Sequence, residues 1–163
     1  MIKEERDFNI LDWWKKVVLD NYVNFSGRAR RSEFWYFTLM HWLIIICLGV
    51  LTALLSAIFK NSSLVSIPII LIALYFLATL LPSIAVAVRR LHDTGKSGWW
   101  LLAPAIPFVG NIASIVLLVF YCIEGDSFPN DYGLDPKNPN NAIGYSGPYS
   151  ILNSYENSDR NQR

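Results

Sequence analysis

Three long apolar runs, separated by charged or polar segments, constrain this chain more than any other feature. They extend over residues 34–59, 64–88 and 99–123, roughly 25 residues each. About 20 helical residues suffice to cross the ~30 Å hydrocarbon core of a bilayer. Spanning by isolated strands is excluded because each unpaired backbone group costs several kcal/mol in lipid. The runs therefore predict an all-α integral membrane protein with three transmembrane helices.

The composition agrees with a membrane protein and excludes several other classes. Hydrophobic residues make up 53% of the chain and charged residues 17%, whereas about a quarter of a soluble domain is charged. A net charge of +1 offers no basic field for nucleic acid. The two cysteines, Cys47 and Cys122, show no metal-ligand spacing. We therefore expect no metal, no cofactor and no nucleic-acid partner.

Residues 1–33 are predicted to form a cytoplasmic segment that contains an amphipathic helix. Between Phe8 and Asp20, one helical stripe is apolar and another is charged. The apolar stripe consists of Phe8, Leu11, Trp14 and Val18. This pattern suits a helix in the headgroup plane, and it suits equally a helix packed on the protein's own loops.

The distribution of lysine and arginine predicts the orientation in the membrane. These residues are frequent before Phe34 and in the second connection, at 89–96, whereas the first connection has only Lys60. The positive-inside rule therefore places the N-terminus and the second connection in the cytoplasm and the tail outside. Pro104, Pro107 and Gly110 interrupt the third run. They allow either a kinked span or a re-entrant hairpin that returns the tail to the cytoplasm.

The ends of the apolar runs carry residues typical of helix termini. Ser97 is a good N-cap ahead of Trp99, and Gly95 fits the position that follows the second helix. Domain boundaries follow from these signals: a membrane domain over 34–124 and a polar tail over 125–163. The tail is rich in Asn, Ser, Pro and Gly, and we expect 143–163 to be disordered.

Two charged segments, 25–35 and 89–100, are the candidate functional site because the predicted topology places both at the cytoplasmic interface. The candidate residues are Arg28, Arg31, Glu33, Arg89, Arg90, His92, Asp93 and Ser97. Three interpretations remain open: arginines that only set topology, a site for an anionic phospholipid headgroup, and a contact with a partner membrane protein.

Enzyme motifs are absent or incomplete in these segments. Gly95-Lys96-Ser97 resembles the end of a P-loop, but Arg90 occupies the position of the required earlier glycine. His92 and Asp93 are adjacent, so on a helix their side chains diverge. We therefore predict a non-enzymatic protein. The alternative function is a subunit of an oligomeric transporter or channel that uses His41, the polar residue two turns into the first run.

Three motifs carry a resemblance to a known family. They are Phe25-x-Gly27-Arg28-x-x-Arg31-x-Glu33-Phe34-Trp35, Arg89-Arg90-Leu91-His92-Asp93-x-Gly95-x-Ser97-Gly98-Trp99-Trp100, and Asn130-x-Tyr132-Gly133-x-Asp135-Pro136. With them the chain resembles domain of unknown function 805, a family of small bacterial inner-membrane proteins. The resemblance covers roughly residues 13–136. It implies a location in the bacterial inner membrane and implies no particular activity.

Overall fold

The computed structural model describes residues 5–58 and 62–138, and the described chain is helical. After a 3-10 turn at Glu5–Asp7, the elements are α1 (Ile10–Lys15, continued by a π-helical turn at Lys16–Asp20), α2 (Arg31–Ile58), α3 (Ser62–Asp93), a 3-10 helix (Gly98–Ala105) and α4 (Gly110–Cys122). The described residues contain no strand beyond one isolated bridge between Asn130 and Gly133. The predicted all-α class is confirmed, and the segment 143–163 expected to be disordered lies outside the described residues.

Helices α2 and α3 are long and apolar enough to cross a membrane. The stretches Arg31–Ile58 and Ser66–Asp93 are each 28 residues long, and each contains an 18-residue segment with a mean hydropathy of 2.3 and 2.5, respectively. At about 1.5 Å per residue such a helix exceeds the ~30 Å of hydrocarbon. Hydroxyl groups within them donate to the helix's own carbonyls, as Thr52 Oγ1 does to Leu48 O at 2.8 Å. The first two predicted helices are therefore present as candidate spans.

The described residues fall into two compact units. One is formed by residues up to 24 together with 35–85, and the other by 25–34 together with residues from 86 onward. Every residue of the predicted candidate site belongs to the second unit.

In the first unit, α1 begins at a reciprocal cap and packs one face against the protein. Asn9 Oδ1 accepts from the Asp12 backbone N–H, and the Asp12 carboxylate accepts from the Asn9 N–H, both at 2.9 Å. Trp13 and Val17, four residues apart, are buried, whereas Leu11 is 50% exposed. The buried face is thus adjacent to the apolar stripe through Leu11 and Trp14, and the placement of that stripe in the headgroup plane stays a prediction.

In the second unit, the third apolar run is a hairpin and not one helix. The 3-10 helix covers 8 residues and α4 covers 13. The chain reverses between Ala105 and Gly110, so that the Trp100 and Phe120 rings contact edge to face at 5.5 Å. At about 2.0 and 1.5 Å per residue, the two arms span roughly 16 and 20 Å, too little to cross the hydrocarbon. In place of one predicted helix over 99–123, the structure thus has two shorter helical segments joined by a turn, which Pro104, Pro107 and Gly110 also allowed.

The ends of this hairpin meet at the C-terminus of α3. Gly95 has a φ of +67°, and the Lys96 N–H donates to Leu91 O at 3.0 Å, which ends α3 as predicted. Ser97 Oγ accepts from the Trp99 N–H at 3.4 Å, which confirms the predicted N-cap. Beyond α4, the Asp126 N–H donates to Asp93 O at 2.8 Å. The start of the tail therefore lies beside the end of α3, and the side of the membrane on which the tail lies stays a prediction.

Candidate functional site

Asp93, the last residue of α3, lies between two buried arginines. Arg28 Nε donates to Asp93 Oδ1 at 2.9 Å, and Arg90 Nη1 donates to Asp93 Oδ2. The three side chains are at most 4% exposed. Charges so thoroughly removed from water require excellent pairing, because desolvation costs several kcal/mol per ion. We call Arg28, Arg90 and Asp93 the buried cluster.

The remaining guanidinium N–H groups of the buried cluster donate to backbone carbonyls. The acceptors of Arg28 are the carbonyls of Asp126, Phe128 (2.9 Å) and Gly133 (3.3 Å), and those of Arg90 are the carbonyls of Tyr121 (3.3 Å) and Ile123. These carbonyl dipoles compensate the excess positive charge. Through these hydrogen bonds, the buried cluster holds residues 121–133 against the end of α3 and against the segment around residue 28.

His92 connects the third sequence motif to the same place. Its imidazole stacks on the Tyr132 ring at 3.8 Å with an interplanar angle of 5°, and its Nδ1 lies 3.1 Å from Gly27 O. Asn130 Nδ2 donates to His92 O at 2.9 Å, and Asn130 Oδ1 accepts from the Tyr132 N–H at 3.0 Å. The predicted site did not include Asn130 and Tyr132, although both belong to the third sequence motif.

Arg89 and Glu33 form a second buried ion pair, separate from the buried cluster. Arg89 Nη1 donates to Glu33 Oε1 at 2.5 Å, and the side chains are 4% and 1% exposed. Arg89 Nε and Nη2 are buried without a hydrogen-bond partner. These two atoms form the side edge of the guanidinium, which binds carboxylate or phosphate oxygens in a bidentate manner. We call this edge the Arg89 fork.

The other two arginines of the first motif, Arg30 and Arg31, lie closer to solvent than Arg28. Arg31 Nη2 pairs with Glu124 Oε1 at 3.0 Å, and both side chains are substantially exposed. Lys137 also pairs with Glu124; the Lys137 ammonium, followed by Arg31, holds the pKa of that carboxyl below its usual range. Arg30 Nε donates to Pro136 O at 2.9 Å. Surface pairs of this kind contribute little to stability.

The structure thus divides the predicted site into four parts. Arg28, Arg90 and Asp93 form the buried cluster with His92 beside it, Arg89 and Glu33 form a separate pair, Arg31 is an exposed cation, and Ser97 caps the 3-10 helix. Among the described residues, no group of three or more His, Cys, Asp or Glu side chains is placed to hold a metal ion. Among the described residues of the predicted site, the buried guanidinium N–H groups left without a hydrogen-bond partner are those of the Arg89 fork.

Comparison with known proteins agrees with the resemblance seen in the motifs. The chain is 47% identical to inner membrane protein YhaI of Escherichia coli strain K12 over 124 residues, which cover 76% of this chain and 95% of YhaI. It is 41% identical to inner membrane protein YhaH of the same strain over 127 residues, covering 78% of this chain and 98% of YhaH. No solved structure shows a significant match. The model of the family "Protein of unknown function (DUF805)" matches residues 22–134, more than half of the chain, and the chain therefore belongs to the DUF805 family.

Proposed function

We propose that this chain is a non-enzymatic inner-membrane protein that binds the anionic headgroup of a phospholipid through the Arg89 fork. Membership of the family and the names of its relatives YhaI and YhaH support the inner-membrane location. The buried pairing of Arg28 and Arg90 supports a narrower site than the sequence motifs suggest. Those two arginines have their N–H groups engaged within the protein, whereas Arg89 retains donors for a ligand.

The observation that carries the proposal is the pair of unpartnered N–H groups on Arg89. Buried polar groups in proteins are almost always hydrogen-bonded, so an orphaned guanidinium edge indicates a water or an anion. Glu33 fixes the opposite end of the guanidinium at 2.5 Å and thereby orients the fork. A phosphate oxygen pair matches the geometry of that edge, and anionic lipids are abundant beside cytoplasmic arginines.

We further propose a topology of two spans with both chain ends in the cytoplasm. Helices α2 and α3 cross the membrane, and the hairpin formed by the 3-10 helix and α4 enters it and returns. Arms of roughly 16 and 20 Å reach about the middle of a ~30 Å hydrocarbon core. The residues at the tip are apolar and exposed: Ile106 is 53% exposed, Phe108 103% and Val109 50%. Lipid at the bilayer centre is a suitable environment for such a tip.

The function is tested by native mass spectrometry of the full chain released gently from bacterial membranes. The variant Arg89→Lys keeps the positive charge opposite Glu33 and removes the planar fork. We expect wild type to retain one more anionic phospholipid per chain than Arg89→Lys does. The matched control is Arg31→Lys at an exposed position, which should retain lipid as wild type does.

Equal lipid retention by wild type and Arg89→Lys would overturn the proposal, because the fork would then hold only water. A protein that is released together with wild type and lost from Arg89→Lys would also overturn it. That result would assign the fork to a carboxylate of a partner protein.

A second candidate function, a subunit of an oligomeric transporter, is favoured by the surroundings of His41 in the first unit. The imidazole stacks with Tyr75 at 5.4 Å and Phe37 at 5.9 Å, while His41 Nδ1 is buried without a hydrogen-bond partner. An ionisable side chain of this kind within a span is a candidate member of a proton pathway. Proton flux into liposomes that disappears in His41→Ala would support this function, and absence of flux in wild type would reject it.

A further inference from the structure

An apolar groove of about 420 Å³ lies along the 3-10 helix Gly98–Ala105. It is lined by Ser97, Trp99, Trp100, Leu102, Ala103 and Ile106. The hydroxyl of Ser97 already accepts the Trp99 N–H, so the lining offers little polar recognition. The volume lies within the ~300–1,000 Å³ typical of small-molecule sites. It is too small for a helix, which is about 10–12 Å wide with its side chains.

Lys96 is a cation that directly precedes Ser97, a lining residue of this groove. Its Nζ lies 5.8 Å from the centroid of the Phe120 ring. The same ring contacts Trp100, a wall of the groove, edge to face at 5.5 Å. Within residues 5–58 and 62–138, no carboxylate forms an ion pair with Lys96. The ammonium is therefore available to form an ion pair with the anionic group of a ligand whose apolar part lies in the groove.

We infer that this groove binds one acyl chain of an anionic phospholipid, whose phosphate pairs with Lys96. The inference rests on the proposed insertion of the hairpin into the membrane, and it concerns a site other than the Arg89 fork. Lipid is the apolar ligand that surrounds an inserted hairpin, and a single flexible chain suits a narrow groove. The tryptophans at its walls are residues that favour the interface, where the headgroup of such a lipid lies.

The experiment uses the full chain in phosphatidylcholine nanodiscs that contain a trace of photoreactive phosphatidylglycerol with a diazirine in its acyl chain. A phosphatidylcholine probe with the same chain is the reference. Adducts are mapped by mass spectrometry after illumination. We expect adducts on the groove residues Trp99 to Ile106, at least threefold more with the phosphatidylglycerol probe.

Three variants test the site itself. Ala103→Phe fills the groove and should lower these adducts at least fivefold, whereas Ile115→Phe, at a 64% exposed position of α4, should leave them unchanged. Lys96→Gln should abolish the preference for phosphatidylglycerol. Arg89→Lys should change nothing, which separates this site from the proposed headgroup site.

Two results would overturn the inference. Equal labelling by the two probes would remove the role of Lys96, and labelling that Ala103→Phe leaves unchanged would identify ordinary surrounding lipid. Adducts at Phe108, the hairpin tip, report insertion independently of the groove. Their absence would show that the hairpin stays outside the membrane and would overturn the inference through its premise.

Discussion

At the residue scale, the adjacent arginines Arg89 and Arg90 have different partners. Successive residues on a helix point about 100° apart, so one guanidinium lies over Asp93 and the other over Glu33. In the buried cluster one carboxylate serves two arginines, and backbone carbonyls accept most of their remaining N–H groups. The cluster thereby holds the segment after α4 in place. Removing its one anion would leave two buried cations without a counterion.

We predict that Asp93→Asn destabilises the protein by about 3–5 kcal/mol, the usual cost of breaking a buried ion pair by removing one partner. Thermal unfolding in detergent, followed by circular dichroism, would show a markedly lower Tm. The matched control is Glu124→Gln, which removes an exposed carboxylate and should change stability by no more than about 0.5 kcal/mol. Equal Tm values for Asp93→Asn and wild type would contradict the structural role of the buried cluster.

The sequence identified most of these residues but could not assign their partners. Charge, spacing and family resemblance singled out Arg28, Arg90 and Asp93 together with Arg89 and Glu33. The pairing depends on the rotation of α3 relative to neighbouring segments, which no periodicity within a single helix reports. Asn130 and Tyr132 were overlooked as site residues because their contribution depends on a loop returning to His92 from more than 35 residues further along the chain.

At the element scale, the backbone of Gly110 packs closely against the backbone of Pro104 at the turn of the hairpin. Gly110 begins α4, and a Cβ on this residue would overlap the carbonyl oxygen of Pro104. The obstacle is backbone and cannot rotate away as a side chain can. Phe108 adopts a φ of +66°, a left-handed conformation that is costly for a residue with a side chain. The turn is therefore specified by local geometry as well as by the two prolines.

We predict that Gly110→Ala opens the hairpin and lowers stability by about 1–3 kcal/mol, the range observed for overpacking. Spin labels introduced at Leu102 and Leu118, both more than half exposed, would report a longer distance between the arms in double electron–electron resonance. Gly49→Ala is the control, because a Cβ there meets nothing within 4 Å and alanine favours a helix. An unchanged distance in Gly110→Ala would show that the turn accommodates the methyl group.

The apolar character of the third run could not by itself distinguish a span from a hairpin. Both structures place the same residues in lipid, and Pro104, Pro107 and Gly110 are compatible with a kink as well as a reversal. Long-range contacts decide the matter, namely Trp100 with Phe120 and the Asp93 carbonyl with the Asp126 N–H. The runs over α2 and α3 were predicted well, because length and hydropathy alone are sufficient for an uninterrupted helix.

At the scale of the whole molecule, the three family motifs of this DUF805 protein converge within one unit. Arg28 from the first motif, Asp93 from the second and Gly133 from the third are joined by direct hydrogen bonds. The sequence could show that the motifs exist but could not show that hydrogen bonds join them at one site. Because the third motif follows the hairpin, these hydrogen bonds support the proposed topology, in which residue 138 and residue 25 lie on the same side of the membrane.

The most direct test of this claim is the accessibility of single cysteines in intact spheroplasts to a membrane-impermeant maleimide. Cys47 and Cys122, both free, would first be replaced by serine. We predict that Asn138→Cys in the tail and Phe25→Cys in the first motif are labelled only after lysis. Lys60→Cys, between α2 and α3 in the sequence, should be labelled in intact spheroplasts. Labelling of Asn138→Cys in intact spheroplasts, with Phe25→Cys protected, would show that the third run crosses the membrane and would contradict the account.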